Sequence, residues 1–182
     1  MTEPEPVVEL IVDEPGWQAR LPDLAEIAEA AARAALDATG LAPAGMTIAL
    51  LACDDAGIAL LNARFRGRDR PTNVLSWPAY DLGPGAPGAR PPAPPEHAEH
   101  LGDVAIALQT TMREADERGI SLKSHATHLI LHGCLHLLGY DHDRAEDADL
   151  MEGIETRTLI RLGIADPYLI VDPGAAAPHP ER

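Results

Sequence analysis

Short β-branched runs alternate along the chain with longer stretches of helical period. VVELIVD (7–13) is apolar and β-branched and predicts a first strand. Pro22 and Asp23 open a helical stretch in which Leu24, Ile27, Ala31 and Ala35 recur near helical spacing, and Gly40 ends it. MTIALLA (46–52) reads as a second strand. Asp54 or Asp55 caps a helix through Ile58, Leu61 and Phe65. A turn, RGRDRPTN, leads into a third strand, NVLSWPAY (73–80), and HLGDVAIAL (100–108) reads as a fourth. Three helices close the chain, near 109–118, 122–138 and 143–162, the last ending at Gly163. Four strands with about five helices, most of them late, predict an α+β fold: a small sheet covered by helices.

Residues 81–99 break this pattern with six prolines. They read as a linker-like loop that packs no core. Because the flanking strands are too short to stand alone, the loop lies inside one domain, expected to span 7–170. Residues 1–6 are expected to fray, and the tail 171–182 to be disordered.

Composition narrows the classes. A length of 182 residues suits one domain, and 46% hydrophobic residues suffice for a core. No apolar run reaches the ~20 residues of a membrane helix. The acidic start, MTEPEPVVEL, lacks the basic region of a signal peptide, so a cytoplasmic protein without membrane association is expected. Two distant cysteines, Cys53 and Cys134, imply neither a disulfide framework nor a CxxC site. A formal net charge of −15 argues against nonspecific nucleic-acid binding. Against that background Arg64, Arg66, Arg68 and Arg70 stand two residues apart, as either a solvated turn or a local anion site.

The strongest chemical signal is HLILHGCLHLLGYDH (128–142). His132 and His136 are four apart, so on a helix their imidazoles point the same way, one turn apart. Gly139 permits a left-handed helix end, after which the chain doubles back and brings His142 toward the same point. Three such ligands leave a fourth position open, the layout of catalytic zinc. Cys134 is about 200° round the helix from His132 and faces away, as a small core residue. His128 shares the ligand face but lies roughly 12 Å from His136 along the axis, so it reads as support or packing. His97, His100, His125 and His179 have no spacing partner.

The spacing H-G-x-x-H-x-x-G-x-x-H matches that of the metzincin peptidases, H-E-x-x-H-x-x-G-x-x-H, except that Gly133 stands where they carry their catalytic Glu. That Glu is the general base of peptide hydrolysis, so its absence argues against a peptidase.

HGCLHLLGYDH resembles the signature of the YbeY family, bacterial ribosomal-RNA maturation endoribonucleases. FRGRDRPTNVLSWP (65–78), LGDVAI (101–106) and MEGIETRTLIRLGIADPY (151–168) extend the resemblance in order over most of the chain. The resemblance implies a small mixed sheet with several helices and one Zn2+ per chain on His132, His136 and His142. It also implies metal-dependent cleavage of single-stranded RNA in small-subunit ribosomal-RNA maturation and ribosome quality control. RNA and the small ribosomal subunit are the implied partners. The family's arginine falls on Arg66, which is expected to clamp the scissile phosphate, with Arg64, Arg68 and Arg70 as lesser backbone contacts. Asp69 is expected to pair with a neighbouring arginine or to cap the turn. Asp141 and Asp103 are candidate general bases; Asp141 equally suits orienting a ligand histidine, and Asp103 supporting a strand end. The alternatives are a metallohydrolase of another class, peptidase-like, and a non-catalytic ribosome-associated zinc protein.

Overall fold

The computed structural model describes residues 5–169. The expected disordered tail, with His179, and residues 1–4 of the expected frayed start lie outside the described residues.

Four strands, β1 (Val8–Val12), β2 (Thr47–Cys53), β3 (Val74–Pro78) and β4 (His100–Ala107), form one sheet in the order β1-β2-β4-β3. β1 pairs with β2 and β2 with β4 in parallel, while β3 runs antiparallel on the β4 edge. Six helices accompany them: α1 (Gly16–Arg20), α2 (Leu24–Ala38), α3 (Asp55–Arg66), α4 (Leu108–Arg118), α5 (Leu122–Leu137) and α6 (Ala145–Arg161). The α+β expectation holds, with one helix more than expected. The extra one, α1, has five residues, too few for a helical period to show in sequence. It is held by the fully buried Trp17, whose indole N–H donates to the Cys53 carbonyl at 2.9 Å.

The caps follow local chemistry. Asp54 caps α3 by accepting from the Gly57 amide at 2.7 Å, and Ser121 caps α5 by accepting from the Ser124 amide at 3.0 Å. Asp23 precedes α2 but makes no side-chain cap; its carboxylate pairs with Lys123 instead.

The main core lies between one face of the sheet and helices α2 and α5. Ile48, Leu50, Val104 and Ile106 from the strands meet Leu36, Ile130, Leu131 and Leu135 from the helices. On the other face α3 covers a smaller cluster of Cys53, Ile58, Leu75, Ala105 and Ala107. β4, buried along most of its length on both faces, reads accordingly as an almost unbroken apolar run.

The 81–99 loop corrects the sequence expectation. It packs two side chains inward, Leu82 and Ala98, and Ala98 joins the main core. Its midpoint is tied to α6 by the Gly88 amide, which donates to the buried Asp147 carboxylate at 2.8 Å. Arg144 pairs with the same carboxylate and donates to the Gly85 carbonyl at 3.1 Å.

Candidate metal centre and its cleft

α5 carries the site because it lies directly on the sheet. It packs tightly at Gly133, where a Cβ atom would stand 2.8 Å from a Val104 methyl and 3.5 Å from a Val74 methyl. Gly133 therefore faces strand side chains, and a glutamate there has no room. The departure from the peptidase spacing has a packing cause. Cys134 is buried in the main core, as expected. Burial drives its thiol up to about 12.

At the end of α5 the Leu138 amide donates to the Cys134 carbonyl and the Tyr140 amide to that of Leu135. Gly139 between them has φ +86°, a left-handed conformation that reverses the chain. A Cβ on Gly139 would lie 2.2 Å from the Leu82 carbonyl oxygen, so the start of the 81–99 loop is pressed onto this turn. Asp141 then accepts from the His142 amide at 2.7 Å, shaping the segment that presents His142.

The result brings the three predicted histidines together. The ring centroids lie 4.5 Å apart for His132 and His136, 5.3 Å for His132 and His142, and 5.1 Å for His136 and His142. One nitrogen from each ring falls within 4.8 Å of the others. The facing Nε2 atoms of His132 and His136 are 3.0 Å apart. Two nitrogens on one tetrahedral zinc, each at 2.0–2.1 Å, stand about 3.3 Å apart, so small ring adjustments suffice. Burial, then the neighbouring His132 and His142 imidazoles, push His136 down to about 4, so it is neutral near pH 7 and its lone pair is free for a cation.

A fourth residue completes the arrangement. Glu155 of α6 is fully buried, and its carboxylate accepts from His132 Nδ1 at 2.7 Å and from the Tyr168 hydroxyl. It also faces His128 Nε2 at 3.5 Å. Burial raises its pKa, but the His128 and His132 imidazoles outweigh burial and hold it at about 2. A carboxylate on Nδ1 places the proton there and leaves Nε2 of His132 to point at the metal position. His128 takes the supporting place expected of it. Sequence reasoning missed Glu155, although a signal exists: Asp147, Met151, Ile154, Glu155, Thr158 and Leu159 form the buried stripe of α6, with two acids at buried positions.

His136 and His142 open into a cleft of about 550 Å3 that Arg66, Ser76, Tyr80 and Asp141 also line. Arg66, the last residue of α3, reaches over β3 toward the Ser76 carbonyl, 3.4 Å away. Among the described residues, none of Arg64, Arg66, Arg68 and Arg70 has a carboxylate within 4.0 Å. The expected pairing of Asp69 with an arginine is thus not made. The four guanidinium groups make no ion pair among the described residues, which leaves them available to an anion. Asp103 lies outside the cleft: it is on β4, more than half exposed, 3.4 Å from His100.

The family model described as Endoribonuclease YbeY matches residues 14–163. The chain belongs to the YbeY family. Proteins named Endoribonuclease YbeY from Jannaschia sp. and Ruegeria pomeroyi are 50% and 54% identical to it over 161 and 164 residues. Each alignment spans 88% of this chain, and 99% and 97% of the respective relative. The solution structure of TM1509 from Thermotoga maritima shares the fold, with a TM-score of 0.50 at 20% identity, covering 93% of this chain and 99% of that one. In this YbeY chain the histidine cluster is a group that can hold a metal ion, and it lies at the cleft that carries Arg66. Among the described residues no helix is long and apolar enough to cross a membrane.

Proposed function

We propose that this chain is a zinc-dependent endoribonuclease of single-stranded RNA that acts in 3′-end maturation of small-subunit ribosomal RNA and in ribosome quality control. Its partners are precursor ribosomal RNA and the small subunit, its compartment is the cytoplasm, and residues 7–170 act as its one catalytic domain. Family membership supports the RNA substrate. The observation that carries the chemistry is a three-histidine cluster opening into the same cleft as an arginine without a carboxylate partner among the described residues.

His132, His136 and His142 hold the zinc in this reading, and Glu155 fixes the tautomer of His132. When bound, the ion supplies Lewis-acid polarisation and lowers the pKa of water toward ~7. Arg66 binds the scissile phosphate through its N–H groups and offsets the charge that grows on the phosphoryl oxygens in the transition state. Asp141, at the cleft wall beside His142, is the better placed of the two candidate bases. The peptidase alternative loses ground at Gly133, which packs on Val104 and has no space for an acid. A purely structural zinc is disfavoured because three histidine ligands, two of them lining the cleft, leave the fourth position open.

Metal content by mass spectrometry, with cleavage of a single-stranded RNA before and after chelation, tests the reading. About one zinc per chain is expected, with cleavage that stops on chelation and returns with zinc. A zinc-loaded protein that cleaves no single-stranded RNA would overturn it.

A further inference from the structure

A second pocket, of about 320 Å3, runs alongside α5 from His125 to His132, the first member of the histidine trio. Asn73, Glu114, Arg118, His125, His128 and Tyr168 supply its polar groups, and Val74 and Leu129 its apolar walls. One Glu114 oxygen accepts from Asn73 Nδ2 at 2.9 Å and stands 2.7 Å from His125 Nε2. Two histidine nitrogens there, Nδ1 of His125 and Nδ1 of His128, are buried without a partner, while His128 Nε2 has only the Glu155 carboxylate at 3.5 Å. His125 is 2% exposed. Buried polar atoms without partners are rare enough in folded proteins to call for a ligand or water that satisfies them. The Tyr168 ring stands edge-on to His128, 5.8 Å between centroids, and is partly exposed at the pocket.

The position of this pocket identifies its ligand. Asn73, Val74 and Glu114 also line a groove of about 350 Å3 that carries Arg66, Arg68, Arg70 and Arg113. Arg66 in turn lines the metal cleft. Metal cleft, arginine groove and histidine pocket thus form one series across the surface. The arginines suit backbone phosphates. The pocket suits them less, since Glu114 and Glu117 outweigh Arg118 in its lining. What the pocket offers is a carboxylate acceptor, imidazole nitrogens and aromatic faces between two aliphatic walls, which matches the edge and face of a base. The pocket runs along α5 from His125 to His132, so the base it holds lies beside the histidine trio.

We propose that the His125–His128–Glu114 pocket is a nucleobase subsite, holding one unstacked base of the RNA strand whose phosphates cross the arginine groove. The proposal rests on the nuclease reading above. It is tested with the full-length zinc-loaded protein and a short single strand made uncleavable by methylene groups in place of both bridging oxygens of the cleaved linkage. An abasic residue is moved through every position, and affinity is read by fluorescence anisotropy. One position is expected to lose roughly 10- to 100-fold in affinity, the scale of a stacked base. In Glu114→Ala the strand binds more weakly, and the same abasic change costs little further, as coupled sites require. The ring nitrogens of His125 and His128, followed by 15N NMR in the parent protein, are expected to shift with the intact strand and not with the strand abasic at that position. This keeps the test independent of whether the variant folds. A strand that binds, and is cleaved in its natural form, but shows a flat abasic profile and unmoved imidazoles overturns the subsite alone. A protein that neither binds nor cleaves any single strand overturns the nuclease reading with it.

Discussion

Replacing Glu155 by Gln probes the least visible part of the site. The carboxylate is fully buried, yet it serves His132 Nδ1 at 2.7 Å, the Tyr168 hydroxyl and, at 3.5 Å, His128. Glutamine keeps the shape but replaces one acceptor oxygen by a donor. If its carbonyl stays on His132, its NH2 meets the Tyr168 hydroxyl and His128. If it turns round, two N–H groups oppose each other at His132. Either way His132 loses the negative charge that makes it a stronger ligand. Loss of such supporting carboxylates costs 10- to 100-fold in metal affinity, about 1.4–2.8 kcal/mol. The assay is competition for zinc against a chromophoric chelator, with urea unfolding of the metal-free protein alongside. The variant is expected to hold zinc 10- to 100-fold more weakly while remaining folded. Glu155→Leu, which leaves the His132 and Tyr168 donors without an acceptor, is expected to lose about 3–5 kcal/mol of stability as well. A Gln variant that matches the parent in zinc affinity would refute the reasoning and leave Glu155 as a core residue only.

Other outcomes follow from the same geometry. Arg66→Glu is expected to retain zinc and the unfolding midpoint but to lose RNA cleavage; cleavage at the parent rate would remove the phosphate clamp. Gly133→Ala puts a methyl 2.8 Å from Val104 and is expected to cost about 1–3 kcal/mol in urea unfolding; an unchanged midpoint would show that α5 shifts freely on the sheet. For the metal-free protein, stability is expected to fall with acid. Between pH 6.5 and about 4 the unfolded chain protonates His136 while the folded chain keeps it neutral. Below 4.5 the unfolded chain also protonates Glu155, which stays charged in the folded protein down to about 2. Unfolding midpoints that stay level from pH 7 to 4 would contradict the burial of His136.

The elements themselves were legible because their signals are local. Short apolar, β-branched runs marked the four strands, and apolar residues near period 3.6 marked five of the six helices. The histidine cluster that could hold a metal was legible for the same reason: a pair four residues apart on one helix, then a glycine that turns the chain, lie within one turn and one reversal of each other. The cause of Gly133 was not legible, because the methyl groups it avoids belong to Val104 and Val74, on strands far away in sequence. Glu155 lies 23 residues beyond His132 and becomes its partner only when α6 packs against α5. The proline-rich loop showed no periodicity, yet Leu82 is buried and its carbonyl presses on Gly139, a contact made by two irregular segments that no pattern pairs. The amino-acid sequence by itself determined which segments fold as helix or strand and which three histidines converge, since backbone period and side-chain spacing act over a few residues. Only the tertiary structure decided the β1-β2-β4-β3 order, the carboxylate behind His132 and the row of cavities from metal cleft to histidine pocket, since each depends on close packing between segments brought together only when the chain folds.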